Sequence, residues 1–229
     1  MSSFAQRLLQ FLSSFPAPGA LPDGVVALNP YVEPDVHPLL SEFAHRFYTG
    51  NAPRVAMLGI NPGRLGGGRT GIAFTDPIAL TEHCGIIHGL PLKQPELSSQ
   101  FVYRFINELG GPVEFYQHFY LGSIYPLVLL RGGLNYNYYD SPALIRALWD
   151  DMRLSLRQQV LEVGLRRDVA VCLGKRNGLF FHKLNDELQL FDRLIILDHP
   201  RYLMQYRRRE LDANLAHYVQ TLGSLVVSV

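Results

Sequence analysis

An α/β fold, three layers deep with a parallel sheet between helices, is predicted by three features of the chain. Four short apolar runs rich in branched residues, at 55–58, 120–124, 169–173 and 194–197, are separated by stretches of helical periodicity. The runs carry little internal polarity, as strands buried on both faces do. A glycine-rich turn follows the first run, at the carboxyl end of a strand, where open parallel sheets place their ligands.

The elements can be justified in order. Ser3 and Gln6 form a capping box, and Phe4, Leu8, Leu12 and Phe15 recur at helical spacing, so residues 3–15 read as an amphipathic helix that stops before Pro16. Residues 16–24 are turn-rich, 25–32 are ambiguous, and 37–48 offer a second amphipathic helix closed by Gly50. These first 50 residues read as a mainly helical arm around one core. Further helices are expected at 96–109, at 141–163 with Ser141 as cap and Pro142 as first residue, and at 177–188. Residues 201–209 precede or begin a last helix, whose apolar stripe is Leu211, Leu215, Val219 and Leu222. With 229 residues, 48% of them apolar, one domain over the whole chain is the expectation.

Composition removes several function classes. The formal charge is +1, so no global basic field announces a histone-like binder, although a local basic strip remains compatible with it. Cys84 and Cys172 lie far apart and fit no metal spacing, which excludes a structural zinc or a four-cysteine cluster. No apolar stretch approaches the roughly 20 residues of a membrane span, and the amino terminus lacks a basic start followed by a cleavage site. A soluble, cytosolic protein is expected, and a monomer.

The residues at the strand ends carry the chemistry. Asn61, in Asn-Pro-Gly, has two readings: a cap for its own turn, or an amide that orients a water or substrate. The loop is neither a P-loop, since no Gly-Lys-Ser/Thr follows Gly63, nor a dinucleotide fingerprint. His199 follows the last run, and Pro200 restricts it to an extended conformation; Asp198 is expected to face away from it. Phe74, at the end of the glycine loop, is either core or a flat stacking surface, and the loop with Tyr136, Tyr138 and Tyr139 either packs on its neighbours or stacks on bases. Three arginines, 207–209, in the first turn of the last helix would favour a phosphate, and Tyr202, Leu203 and Met204 are bulky residues of the kind that enter a base stack. Two further classes stay open at this level: a nucleotide-hydrolysing enzyme, which would need clustered carboxylates, and a non-catalytic nucleic-acid binder.

Residues 59–74, Gly-Ile-Asn-Pro-Gly-Arg-Leu-Gly-Gly-Gly-Arg-Thr-Gly-Ile-Ala-Phe, resemble without gaps the first motif of the single-strand-selective monofunctional uracil-DNA glycosylases, Gly-Met-Asn-Pro-Gly-Pro-Phe-Gly-Met-x-x-Thr-Gly-Val-Pro-Phe. His199-Pro200 resembles the start of their second motif, Tyr125-Pro126-Leu127 their Cys-Pro-Leu segment, and Gly133-Leu134-Asn135 their Gly-Arg-Asn segment. The resemblance implies a four-stranded parallel sheet and removal of uracil from single- or double-stranded DNA by water attack on a flipped nucleotide. It implies that Asn61 positions the water, that His199 hydrogen-bonds the base oxygen that becomes anionic, and that Gly59, Ile60, Gly63, Phe74 and Ser123 surround the base. Arg64, Arg69, Asn135, Arg201, Tyr202, Leu203, Met204, Arg207 and Arg208 are expected along the DNA. The resemblance implies no cofactor, and no lysine is placed for a Schiff base. Two departures bear on substrate: Ser123 stands where the family has a base-reading asparagine, and Arg201-Tyr202-Leu203-Met204 replaces the Ser-Pro of the second motif. The chain thus resembles a bacterial side branch of the family, with xanthine or other deaminated or oxidised bases as additional candidates.

Overall fold

The computed structural model of the protein describes residues 2–91 and 95–226. In chain order, α1 (Phe4–Ser14), β1 (Val25–Leu28) and α2 (His37–Phe47) lead into β2 (Arg54–Gly59). The glycine-rich turn carries α3 (Gly67–Thr70) and α4 (Pro77–Glu82), and α5 (Leu97–Glu108) and α6 (Gly111–His118) follow. Then come β3 (Phe119–Ser123), a hairpin of β4 (Val128–Arg131) and β5 (Leu134–Asn135), and α7 (Pro142–Gln158). The chain ends with β6 (Leu165–Leu173), α8 (Lys175–Leu188), β7 (Leu194–Leu197), α9 (Pro200–Tyr206) and α10 (Leu211–Gly223).

The central sheet has four parallel strands in the order β3-β2-β6-β7. Residues 55–58 of β2 are fully buried, as its lack of polar positions requires of an inner strand with helices on both faces. Register brings the carboxyl ends level: Gly59 pairs with Ser123, Leu58 with Cys172, and Leu173 with Leu197. The loops after these strands therefore open on one side of the molecule. Ser141 caps α7 by accepting from the Leu144 amide at 3.1 Å, and the Ser3–Gln6 capping box closes in both directions at 2.8 and 3.2 Å. Among the described residues no helix is long and apolar enough to cross a membrane.

Several expectations are corrected. The ambiguous stretch after residue 24 contains β1, which pairs antiparallel with β4 in a second, three-stranded sheet β1-β4-β5. β1 (Val-Val-Ala-Leu) and β4 (Val-Leu-Leu-Arg) are as apolar as the buried runs, but they pair with each other across a long stretch of chain and are partly exposed. The third parallel strand begins at Leu165, four residues ahead of the run that signals it, because its first half carries Arg166, Arg167 and Asp168. Helix α7 stops at Gln158 and continues as a π-helical turn over Gln159–Gly164, in which buried Gln159 turns inward to donate to the Ser123 carbonyl at 3.2 Å and the Ser155 hydroxyl at 2.8 Å. Arg207–Arg209 lie just ahead of the first turn of α10: α9 ends at Tyr206, Arg208–Glu210 form a 3-10 turn, and α10 continues from it at Leu211.

The first 50 residues share the core. Phe4, Leu8, Phe11 and Phe43 are buried in the same apolar cluster as the sheet. At their junction with β2 lies Arg54, only 1% exposed and without a carboxylate within salt-bridge reach among the described residues. Its guanidinium donates to the carbonyls of Tyr116 (2.7 Å), Ala52 (3.1 Å) and Thr49 (2.6 Å) and lies 4.2 Å from the Phe4 ring centre and 5.5 Å from that of Tyr48. Burial holds its pKa below the usual arginine value. Replacing it by methionine leaves three carbonyls without a donor. Arg54→Met is expected to lower unfolding stability by ~2–4 kcal/mol, read as a shift of the urea midpoint at unchanged slope.

Candidate active site

At the carboxyl edge of the sheet lies a cleft of about 740 Å³, lined by Ile60, Asn61, Gly63, Phe74, Ser123 and His199 among others. Three separate strand ends supply these residues, so the sheet register sets their spacing.

Asn61 does not cap its own turn. Its Nδ2 donates to the Tyr136 carbonyl at 3.1 Å, and its Oδ1 accepts from the Tyr138 amide at 3.2 Å. The carboxamide is thereby fixed in rotation, with its O and N ends assigned by these partners. One Nδ2 proton and one Oδ1 lone pair remain.

Phe74 has a left-handed backbone, with φ of 56°. Its ring lies against the end of β2: a methyl at Gly59 would sit 2.5 Å from Phe74 Cζ. The glycine in that position is what lets the edge of the aromatic ring approach the strand end. The ring centre is 5.8 Å from the His199 imidazole, with planes tilted by 49°.

His199 is the N-cap of α9, in an extended conformation with φ of −63° and ψ of 132°, as the following proline requires. Its Nδ1 accepts from the Arg201 amide at 3.2 Å, which leaves the proton of the neutral ring on Nε2. Burial, and next the Arg201 guanidinium, push its pKa down to about 4. At neutral pH the group is therefore an uncharged N–H donor. Asp198 faces away from it and pairs with Lys175 Nζ at 3.2 Å.

Ser123 is 9% exposed and level with Gly59; its hydroxyl has no hydrogen-bond partner among the described residues. Ile60 lines the cleft with its side chain while its carbonyl accepts from the Tyr125 amide at 3.1 Å. Gly63 leaves room for Glu96: a methyl there would lie 3.1 Å from Glu96 Oε1 and 3.4 Å from Asn135 Nδ2, and a methyl at Gly66 would overlap the carboxylate. Nothing in the sequence marks Glu96, which is distant from the motif and reads as a helix start. Its carboxyl is held above the usual carboxylate pKa by burial and then by Asp76, against the opposing pull of Arg201.

The expected DNA residues divide. Arg64, Asn135, Arg201 and Tyr202 line the cleft, and Asn135 Oδ1 accepts from the Arg64 amide at 2.9 Å. Tyr206 joins them, unmarked in sequence because an exposed tyrosine in an arginine-rich stretch carries no pattern. Leu203 is fully buried in the core and cannot reach a ligand, the reverse of its expected place. On α9 it turns inward while Tyr202 turns outward, a consequence of helical spacing. Met204 is half-buried against the core, and half-buried Arg69 does not line the cleft. Arg207 is engaged by Tyr202 Oη (3.3 Å) and Glu210 (3.1 Å), and Arg208 donates to the Met204 carbonyl (3.0 Å). Tyr138 is buried with its hydroxyl on Asn177 Oδ1 at 2.5 Å, so it braces the loop and offers no face to a base. Among the described residues no group of three or more His, Cys, Asp or Glu is arranged to hold a metal.

A family model of the uracil DNA glycosylase superfamily matches residues 46–223. The chain belongs to the uracil-DNA glycosylase superfamily. The crystal structure of wild-type SMUG2 from Pedobacter heparinus is similar to it with a TM-score of 0.93 at 36% sequence identity, over 98% of this chain and 99% of that one. No curated protein matches. As a member of the superfamily the protein is a DNA glycosylase, an enzyme that hydrolyses the N-glycosidic bond between base and deoxyribose.

Two outcomes follow from the geometry. Gly59→Ala is expected to displace the Phe74 ring and reduce kcat/KM by about tenfold or more, with thermal unfolding within a few degrees of the wild type. The pH dependence of stability carries the second. His199 binds its proton more weakly when folded, so between its ordinary pKa of 6.5 and about 4 the unfolded chain takes up a proton that the native protein does not. Its contribution is complete above pH 6.5 and falls progressively as the pH is lowered to about 4; His199→Gln should flatten that part of a stability–pH curve from urea titrations.

Proposed function

We propose that the protein is a monofunctional glycosylase that removes uracil from DNA. The observation that carries this reading is the pairing of a neutral His199, with its proton on Nε2, and a rotationally fixed Asn61 on either side of a cleft walled by Phe74. A flipped uracil stacks on Phe74. As the bond between C1′ and N1 breaks, its electron pair passes to the base, and His199 Nε2–H donates to the oxygen on which the charge gathers. The remaining Oδ1 lone pair of Asn61 orients a water toward C1′; the new bond is C1′–O, and the water proton leaves to solvent or to the departing base. No covalent nucleophile enters the scheme, and no lysine forms a Schiff base.

Ser123 supplies a single rotatable hydroxyl at the base edge. Unlike a carboxamide, which presents a fixed donor and acceptor, it adjusts to either, and this supports xanthine and other deaminated bases as further substrates. With its pKa lowered to about 4, the imidazole is present at neutral pH as the neutral N–H donor, which meets the leaving anion without prior protonation. Arg64, Asn135, Arg201 and Tyr202 flank the entering strand, with Arg207 and Arg208 farther along it, and the protein acts as a monomer without a cofactor.

The test is incubation with uracil-containing oligonucleotides, single- and double-stranded, followed by alkali. Strand cleavage at the uracil is expected. Asn61→Ala and His199→Ala should each reduce kcat by about 10²–10³-fold while the far-UV CD spectrum stays that of the folded protein, with a melting temperature lowered by a few degrees because each variant frees backbone groups that the side chain had engaged. Intact strands with uracil, xanthine, hypoxanthine and 5-hydroxymethyluracil alike would sink the proposal.

A further inference from the structure

The mouth of the cleft has two unlike flanks. On one, α9 extends from β7 at one edge of the sheet and presents Tyr202 and Tyr206, 39% and 66% exposed. On the other, the β4–β5 hairpin follows β3 at the opposite edge and presents Leu134, 65% exposed and also lining the cleft. A lone exposed leucine is ordinary on a protein surface. This one is distinguished by how firmly it is displayed. Gly132 and Gly133 both take positive φ, 56° and 73°, giving a tight two-residue turn, and Arg131 pairs with Leu134 across it. Asn135 Oδ1 accepts from the Arg64 amide at 2.9 Å and ties the hairpin to the glycine loop; the Arg131 guanidinium reaches Tyr136 Oη at 3.3 Å and covers its ring at 5.6 Å. The apolar tip sits on a braced support.

We propose that Leu134 is a second stacking residue, which covers the exposed face of the nucleobase beside the extruded nucleotide, on the flank opposite Tyr202 and Tyr206. This rests on the glycosylase reading. A nucleotide that rotates into the cleft uncovers one face on each of its two neighbours, and an apolar side chain at each flank restores the lost contact. The charges nearest the tip favour DNA over a second copy of the chain. Arg131 and Arg64, on the hairpin and the adjoining loop, are both exposed cations, suited to a phosphate backbone and repulsive toward an identical face. Leu134 is thus a positioning residue and does not touch the reacting atoms.

The experiment uses oligonucleotides carrying a tetrahydrofuran abasic analogue with 2-aminopurine immediately 5′ or 3′ to it, bound by wild type, Leu134→Ala and Tyr202→Ala. The expected result is a fluorescence change on both sides with wild type. Leu134→Ala should abolish it on one side only and weaken Kd by about tenfold, and Tyr202→Ala should abolish it on the other side. Unchanged signals and Kd for Leu134→Ala would overturn the proposal, as would a shift of the free protein from dimer to monomer in sedimentation, which would make the tip a protein contact. Because binding is read without base release, a wild type that shows both signals yet frees no base from any lesion would refute the activity proposed above and leave this assignment standing.

Discussion

The Asn61 carboxamide is held at both ends by a single stretch of backbone, and the cleft is organised around that constraint. One hydrogen bond goes to the Tyr136 carbonyl and one comes from the Tyr138 amide, so the turn after the second strand and the loop after the hairpin are locked to each other. Neither loop has regular structure to fix it. Tyr138 carries the lock onward to Asn177 on α8, whose Nδ2 lies 3.4 Å from the Leu58 carbonyl in the same strand that leads to Asn61. The side chain at the centre of the site is therefore part of a closed circuit of polar contacts, partly buried at Asn61 and fully buried at Asn177, and such circuits hold a rotamer more firmly than packing alone.

Arg201 ties the other half of the site together through two different properties. Its backbone N–H fixes the imidazole tautomer, and its guanidinium adds to the burial that lowers the His199 pKa while pulling against the burial and the Asp76 charge that raise that of Glu96. The amino end of α9 works in the same direction, since the partial positive charge of a helix start disfavours a charged imidazole. One residue of a short helix thus touches the electrostatics of two groups that come from distant parts of the chain, beside the burial that is the larger cause for both.

The parallel strands, most helices and the motif residues were legible because they rest on local rules: apolar runs, caps, and a proline that dictates the conformation before it. Ser141 and Ser3 cap where the pattern places them, and His199 is extended as Pro200 demands. What was not legible depends on distant partners. Glu96 enters the cleft only because Gly63 and Gly66 lack side chains, and Leu203 leaves the DNA-facing set because α9 turns that face toward the core. Strands β1, β4 and β5 escaped notice for a related reason: β1 and β4 are defined by pairing with each other from distant parts of the chain, and β5 is only two residues long.

Arg54 gives the molecule two different boundaries. The family-matched stretch starts at residue 46 and includes this arginine, yet the aromatic face that shelters its guanidinium most closely, Phe4, belongs to the helix outside that stretch. The stretch matched by the family model is therefore smaller than the stretch that keeps this cation dry: without the first helix the guanidinium would lose its nearest aromatic face and meet water on that side.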